Sequence, residues 1–146
     1  MAPAADDDET IPAPPEGYRL QNLRGPFSQH NGPYFEGPDG DGARQAFYVL
    51  RRHCNGAGYT HGGMLSAFMD GLLAHAVGKA SGLSGVTIHL SIDFLSPARR
   101  GHWVFGEAKV SRLTQEVAFA EARLHAGGHD LVRGSGVFKL HRRKAD

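Results

Sequence analysis

The 146-residue chain has a single cysteine, Cys54, and no long run of apolar residues. One cysteine excludes an internal disulfide and suits a reducing compartment. No segment approaches the ~18 consecutive apolar residues that cross a bilayer. The N-terminus is acidic, whereas a secretion signal begins with basic residues followed by apolar ones. These absences predict a cytoplasmic protein that does not cross a membrane.

Short motifs of several enzyme classes are also absent. The chain has no Cys-x-x-Cys or His-Glu-x-x-His pair for zinc and no Gly-x-Ser-x-Gly elbow for a serine hydrolase. No Gly-x-Gly-x-x-Gly follows a strand and opens a helix, so no dinucleotide site is indicated. His53 and Cys54 are adjacent and would point to opposite sides of a strand. We therefore expect neither a metal nor a redox cofactor.

Net charge is only +1, but the charges are unevenly distributed. Residues 1–41 carry eight of the fifteen acids, and residues 99–144 carry ten of the sixteen Lys and Arg. The excess of basic residues toward the C-terminus can bind an anionic partner, such as nucleic acid or a phosphorylated cofactor. It can also simply be a solvated surface. Because aromatic residues are not interleaved with these basic residues, we expect no nucleic-acid partner.

The first part of the chain is rich in turn-forming residues. Residues 1–17 combine Ala, Pro and acids and are predicted to be a disordered tail. Tyr18–Leu23 is predicted to form a short helix or turn. A short strand is expected around Pro33–Glu36 and a longer one over Arg44–His53, separated by a Gly-Pro-Asp-Gly turn signal.

One long helix is predicted over residues 62–80. Apolar residues at helical spacing form one stripe: Met64, Leu65, Phe68, Met69, Leu72 and Ala76. A second stripe is small: Ala67, Gly71, Ala74 and Gly78. Each Gly inside a helix lowers the stability of the helix by about 1 kcal/mol relative to Ala. Close approach of another backbone would offset this loss. Because the helix has almost no solvated face, a sheet and another subunit should surround it.

Four strand-like segments follow the helix. Apolar and polar residues alternate in the first, with Val86, Ile88, Leu90, Ile92 and Phe94 on one side and Thr87, His89, Ser91 and Asp93 on the other. The short links between the segments predict an antiparallel meander and an α+β fold. The segments are Gly85–Pro97, Gly101–Leu113, Glu116–Ala126 and Asp130–His141.

The segment from Asn55 to Asp70 is the strongest chemical signal. A glycine-rich turn containing His61 opens directly into the helix, and Asp70 is the only acid on that helix. The first amides of a helix lack intrahelical partners, so they can polarise a carbonyl. A nearby carboxylate can act as base or nucleophile. The pattern therefore indicates attack on a carbonyl, with water as the acceptor.

Two motifs together resemble a known family. The pattern Asn55…Gly58…His61-Gly62-Gly63…Asp70, followed by Gly85-Val86-Thr87…Phe94-Leu95-Ser96-Pro97-Ala98…Gly101, resembles the phenylacetate-type (PaaI-like) acyl-CoA thioesterases. The resemblance covers residues 25–141. It implies the hotdog fold, in which a curved antiparallel sheet wraps one long central helix and two such units share a continuous sheet.

The resemblance implies roles for individual residues. The Gly62 amide would polarise the thioester carbonyl, with Asn55 orienting the same group. Asp70 would be the general base or the nucleophile, and Thr87 would hold the attacking water. Ser84, Ser91 and Thr114 are rival hydroxyls. Asn55 and Gly62 would come from one subunit and Asp70 and Thr87 from the other, which requires a homodimer or a dimer of dimers.

Other residues near the turn are candidates for substrate binding. His61 could be a base, although a turn residue capping the helix start is the favoured alternative, and Asn55 could merely form an Asx-turn. Gly63 lies beside the Gly62 amide. Arg99 and Arg100 occupy a turn and could contact the phosphates of coenzyme A.

The resulting hypothesis is one hotdog thioesterase domain over residues 18–141, followed by a basic tail over 142–146. The reaction would hydrolyse acyl-CoA to a carboxylic acid and free coenzyme A, the latter being part of the substrate rather than a cofactor. The alternative is an acyl-CoA-binding hotdog protein without turnover. A dehydratase on the same fold would need a His and carboxylate arrangement that cannot be placed here.

Overall fold

The computed structural model describes residues 9–142, so residues 1–8 of the expected tail and 143–146 of the basic C-terminus lie outside it. A 3-10 turn spans Arg51–His53. None of the helices in the described residues combines the length and apolarity that a membrane span requires. The described elements, in chain order, are β1 (Arg19–Leu20), α1 (Pro26–Asn31), β2 (Phe35–Glu36), β3 (Ala43–Tyr48), α2 (Gly62–Ser81), β4 (Ser84–Phe94), β5 (Trp103–Leu113), β6 (Val117–Ala126) and β7 (His129–His141).

Helix α2 confirms the long helix predicted from the apolar stripe. It ends at Gly82, whose φ of 71° is the left-handed conformation that closes many helices. Its buried residues are Met64, Leu65, Phe68, Met69, Leu72, Leu73, Ala76 and Val77. Gly106 on β5 makes room for them, because a Cβ there would lie 2.6 Å from Leu72 Cδ2. The glycine thus lets the sheet approach the helix closely.

The small-residue stripe is the face of α2 that the sheet leaves open. Gly71 is exposed, and Ala67, Ala74 and Gly78 are half-buried. A Cβ on Gly71 would meet no atom of the described residues within 4 Å. No other backbone of the described residues therefore packs on Gly71, and the predicted close approach stays a prediction about a second subunit.

In the described part of the chain, seven antiparallel strands form one sheet in the order β1-β2-β3-β5-β6-β7-β4. The predicted meander is confirmed for β5, β6 and β7 but is wrong for β4, which pairs with β7 at the sheet edge. The physical reason is that residues 95–102 do not close a hairpin. They are tied instead to the segment before α2, through a Tyr59–Arg99 bridge and a 2.7 Å bond from the Thr60 amide to the Ala98 carbonyl.

A β-bulge in β4 overturns the strict alternation expected there. The register against β7 shifts between Thr87 and His89, so Ile88 is an extra residue. An extra residue reverses which side the following side chains occupy. As a result Thr87 and, further along, Leu90 and Ile92 are half-buried, whereas Val86 and Ile88 are exposed.

Three expectations for the first part of the chain need correction. The segment Tyr18–Leu23, expected as helix or turn, contains strand β1, although the strand near Pro33–Glu36 is confirmed as β2. The sequence did not predict helix α1, because a six-residue helix that buries no side chain has no apolar periodicity to detect. The strand expected to reach His53 ends at Tyr48. The buried His53 ring terminates it by accepting the Leu50 amide at Nδ1, which closes the 3-10 turn.

Candidate functional site

Asp70 and Thr87 lie in direct contact. The Thr87 hydroxyl donates a 2.6 Å hydrogen bond to Asp70 Oδ1, joining the middle of α2 to the start of β4. Both residues are half-buried. Thr87 faces the helix because it precedes the bulge in β4. Within residues 9–142 the second carboxylate oxygen accepts no hydrogen bond, so it is free to receive a proton or attack a substrate. We call these two residues the acid pair.

The start of α2 presents an unused backbone donor. His61 is the N-cap residue, and its Nδ1 accepts the Gly63 amide at 2.8 Å. The amides of Met64 and Leu65 donate to the His61 carbonyl. Among the described residues the Gly62 amide therefore has no acceptor, while it lies at the positive end of a twenty-residue helix. An anionic or polarised oxygen is the partner such a group favours.

The loop before α2 carries Asn55. Its Oδ1 accepts the amides of Ala57 and Tyr59 at 3.0 and 3.2 Å, which forms the Asx-turn considered above. Gly58, with a φ of 85°, permits the tight return of this loop. Asn55 is exposed, and its side-chain amide nitrogen makes no hydrogen bond to the described residues, so it remains available as a donor. We call Asn55, His61 and Gly62 the amide group.

The acid pair and the amide group are separated within one chain. Asp70 lies eight residues after Gly62 on the same helix, which corresponds to roughly 12 Å along its axis. One thioester carbon cannot contact both ends of that span. The structure thus brings together two of the four predicted catalytic residues, Asp70 and Thr87, and leaves Gly62 and Asn55 at the start of the helix.

The two arginines lie beside the amide group. Arg99 pairs with Tyr59 across a β-bridge, and its guanidinium lies 5.6 Å from the centre of the Tyr59 ring. Arg100 Nε is 3.1 Å from Glu9 Oε2, and Glu9 Oε1 also accepts the Arg51 amide. Both arginines are exposed. They form a cationic edge next to the unused amides.

The rival hydroxyls occupy other places. Ser91 is exposed on β4 beyond the bulge, and Thr114 bonds to Val117 in the turn between β5 and β6. Ser84 begins β4, three residues before Thr87. Thr87 is the hydroxyl that bonds to Asp70 in the described part of the chain.

Residues 9–142 contain no cluster of His, Cys, Asp or Glu suited to a metal ion. The Cys54 thiol donates to the Leu50 carbonyl, and burial raises its pKa. A thiol with a raised pKa is a poor nucleophile at neutral pH. This geometry gives Cys54 no role in attack on a carbonyl.

A polar cluster that the sequence did not indicate lies beside the small-residue face of α2. His75 Nε2 is 3.1 Å from Glu36 Oε1, and Gln45 Nε2 donates to Gln21 Oε1 at 2.7 Å. Tyr34 completes the cluster. Tyr34 and Glu36 are two residues apart, and Glu36 faces Gln45 across the β2–β3 pair. Three separate elements build the cluster, so no sequence spacing reveals it.

Comparison with known proteins gives one family match and one curated relative. The family described as "Thioesterase superfamily" matches residues 57–133. The chain is 37% identical over 131 residues to a protein named "Putative esterase PA0474" from Pseudomonas aeruginosa, covering 86% of this chain and 96% of the relative. The family match spans α2 and β4, which carry Gly62, Asp70 and Thr87, and it begins two residues after Asn55.

Solved structures share the fold at lower identity. A hypothetical thioesterase from Streptococcus pneumoniae, solved with coenzyme A, has a TM-score of 0.70 and 18% identity, covering 77% of this chain and 88% of that one. The Escherichia coli PaaI protein from the phenylacetic acid degradation operon has a TM-score of 0.65 and 23% identity, covering 68% and 72%. These likenesses establish the architecture of a helix wrapped by one sheet.

Proposed function

The chain belongs to the thioesterase superfamily and has the hotdog fold, and from that premise we propose that it hydrolyses acyl-CoA thioesters to a carboxylic acid and free coenzyme A. The observation that carries this proposal is the 2.6 Å bond between Thr87 and Asp70 on a helix whose first amide is unused. A base, a water-positioning hydroxyl and an oxyanion donor are the groups that this hydrolysis requires.

The proposed reaction begins at the thioester carbonyl. The Gly62 amide, aided by the helix dipole and the Asn55 side-chain amide, polarises the carbonyl and stabilises the oxyanion. Asp70 then acts by one of two routes. It takes a proton from a water held by Thr87, or it attacks the carbonyl carbon to give a mixed anhydride that water hydrolyses. In both routes the carbon–sulfur bond breaks, and the coenzyme A thiolate leaves and takes up a proton.

Two copies of the chain would complete each site. Gly62 and Asp70 of one chain are roughly 12 Å apart along α2, too far to contact one carbonyl group. The open edge of β4, with Val86, Ile88 and Phe94 all more than half exposed, offers a surface for a second copy. We propose a homodimer or a dimer of dimers, in which the Gly62 amide of one subunit meets Asp70 of another.

The phosphates of coenzyme A are proposed to bind at Arg99 and Arg100. These exposed guanidinium groups lie beside the amide group, where the coenzyme would extend away from the thioester. Arginine suits phosphate because its planar donors bind two oxygens at once. The solved relative from Streptococcus pneumoniae contains coenzyme A, which supports this class of ligand.

Thiol release from a panel of acyl-CoAs tests the proposal directly. The wild-type protein is expected to release coenzyme A, and Asp70→Asn is expected to lose on the order of 10²–10⁴-fold in kcat, the loss typical of a missing general base. Circular dichroism should show an unchanged fold, because Asn has nearly the same shape as Asp. Near-wild-type turnover by Asp70→Asn would refute the role of Asp70. Acyl-CoA binding without thiol release by the wild type would indicate the non-catalytic alternative.

A further inference from the structure

A groove of about 680 Å³ runs along the open face of α2. Small residues of the helix form its floor: Gly71, Ala74 and Gly78. An acyl chain on this face would take the place of the second backbone that the small-residue stripe predicts there, and the second copy proposed above would then pair at the β4 edge. Residues 21–24 form the opposite wall, and Gly85 of β4 borders one side. Since a Cβ on Gly71 would meet no neighbouring atom, the absence of side chains here leaves real space. An elongated apolar group fits such a channel.

The groove lies next to the acid pair, although neither Asp70 nor Thr87 lines it. Gly71 directly follows Asp70, and Ala74 lies one helical turn beyond Asp70 on the same side. On β4, Gly85 precedes Thr87 by two residues, so both face the helix. A chain attached to a carbonyl held at Asp70 would therefore enter this groove rather than bulk solvent.

The groove reaches the polar cluster of Tyr34, Glu36, Gln45 and His75. Gln45 is 2% exposed, and its Oε1 has no hydrogen-bond partner within the described residues. A buried acceptor without a partner calls for a ligand or a water molecule. The Glu36 carboxylate is already engaged, since its Oε1 lies 3.1 Å from His75 Nε2 and its Oε2 lies 3.5 Å from the Arg19 guanidinium. Gln45 thus offers the free acceptor for a group that donates.

Tyr34 supplies a complementary donor. The residue is 4% exposed, lines the groove, and its hydroxyl makes no hydrogen bond to residues 9–142. Burial raises the pKa of Tyr34 to about 12, so its hydroxyl stays protonated at neutral pH. A ligand group that both donates and accepts would satisfy Gln45 and Tyr34 together. An alcohol has this property.

We propose that this groove holds the acyl chain and selects acyl groups whose far end carries a neutral hydroxyl, received by Gln45 and Tyr34. The inference rests on the proposed thioesterase function. His75 lies five residues beyond Asp70, roughly 7.5 Å along the helix axis, which calls for an acyl chain of medium length. Arg24 and Lys79 also line the groove, but a carboxylate at the same end of the chain lacks the proton that Gln45 Oε1 needs.

The test compares kcat/KM for hexanoyl-CoA, 6-hydroxyhexanoyl-CoA and 5-carboxypentanoyl-CoA. The hydroxylated substrate should be favoured at least about tenfold over hexanoyl-CoA, because a buried site built to bind a hydroxyl rejects analogues that lack it. The carboxylated substrate should not share this advantage, because it has no proton to donate to Gln45. Tyr34→Phe and Gln45→Met should each reduce the preference for the hydroxyl. Tyr18→Phe is the matched control, since Tyr18 packs on Phe105 away from the groove and should leave the preference intact.

Equal kcat/KM for the hydroxylated and plain substrates would overturn the inference while leaving the thioesterase proposal intact. A preference that neither variant reduces would also overturn it. If no substrate releases thiol, the thioesterase proposal fails. Binding affinities for the same substrates then test the groove assignment separately. Calorimetric binding of the same pair to Asp70→Asn should then show the tenfold preference, and equal affinities would refute the groove assignment.

Discussion

At the scale of single residues, the Thr87 hydroxyl controls how the Asp70 carboxylate is held. Thr87→Val keeps the side-chain shape and removes the donor at 2.6 Å. A hydrogen bond to a charged group contributes about 1.5–3 kcal/mol, so kcat should fall roughly tenfold to a hundredfold with the fold intact. Steady-state thiol release measures this change. Ser91→Ala, an exposed change on the same strand, is the control, and an unchanged kcat in Thr87→Val would exclude Thr87 from the reaction.

His53 should make stability depend on pH. Burial, followed by the nearby Arg52 charge, lowers the pKa of His53 below 6.5, despite the opposing bond to the Asn31 carbonyl. The unfolded chain then binds more protons in that range, so stability rises with pH and is lost as pH falls below about 6.5. Between pH 7 and pH 5 the wild-type Tm should drop further than that of His53→Gln. His129→Gln, at an exposed position, should follow the wild type, and parallel curves for all three proteins would contradict the prediction.

The residues that the sequence identified share one property: each stands out from its immediate neighbours. Asp70 is the lone acid of an apolar helix, and His61 and Gly62 mark where that helix begins. Tyr34, Glu36, Gln45 and His75 have ordinary local contexts. They become a cluster only through the pairing of Glu36 with Gln45 and the position of α2 beneath them. Contacts of that kind depend on sheet register, which sequence spacing does not give.

At the scale of secondary structure, the Gly62 amide at the start of α2 can be removed by a single substitution. Proline is favoured at the first position of a helix, and His61 has a ψ of 136°, which a following proline tolerates. Gly62→Pro should therefore fold and lose about 10²–10³-fold in kcat, the cost of deleting one oxyanion donor. Steady-state kinetics with circular dichroism measures both properties.

Gly62→Ala is the matched control for that change. It retains the amide, and its Cβ would lie 3.4 Å from the Phe94 ring, an ordinary contact. Its kcat should stay near that of the wild type. A folded Gly62→Pro protein with normal turnover would show that the oxyanion donor lies elsewhere.

The elements themselves were predictable where periodicity is long. The stripe in α2 and the segments that became β5, β6 and β7 each extend over ten or more residues. Helix α1 and strand β1 have six and two residues, too few to show a period. The position of β4 beside β7 was not predictable, because it depends on residues 95–102 being bound to the segment before α2.

At the scale of the whole molecule, shared sites predict complementation between inactive variants. Asn55→Ala and Asp70→Asn proteins should each be nearly inactive. After subunit exchange, a mixed dimer with shared sites holds one doubly altered site and one intact site, so part of the activity should return. Light scattering and a thiol-release assay before and after mixing measure the assembly and the recovery. No recovery in a confirmed mixed oligomer would place a complete site within each chain, and an active monomer would refute the shared site.

The bulge in β4 also governs how related chains can be compared. Ile88 adds one residue between Thr87 and the half-buried Leu90, so the hydroxyl and the core residue share a face despite an odd separation. A relative with a regular strand would carry its equivalent hydroxyl at an even separation. An alignment without a gap at Ile88 would then match Thr87 to a residue on the opposite face. The hydroxyl that corresponds to Thr87 can therefore be located by counting back from the core residue Leu90 only when the inserted Ile88 is counted as well.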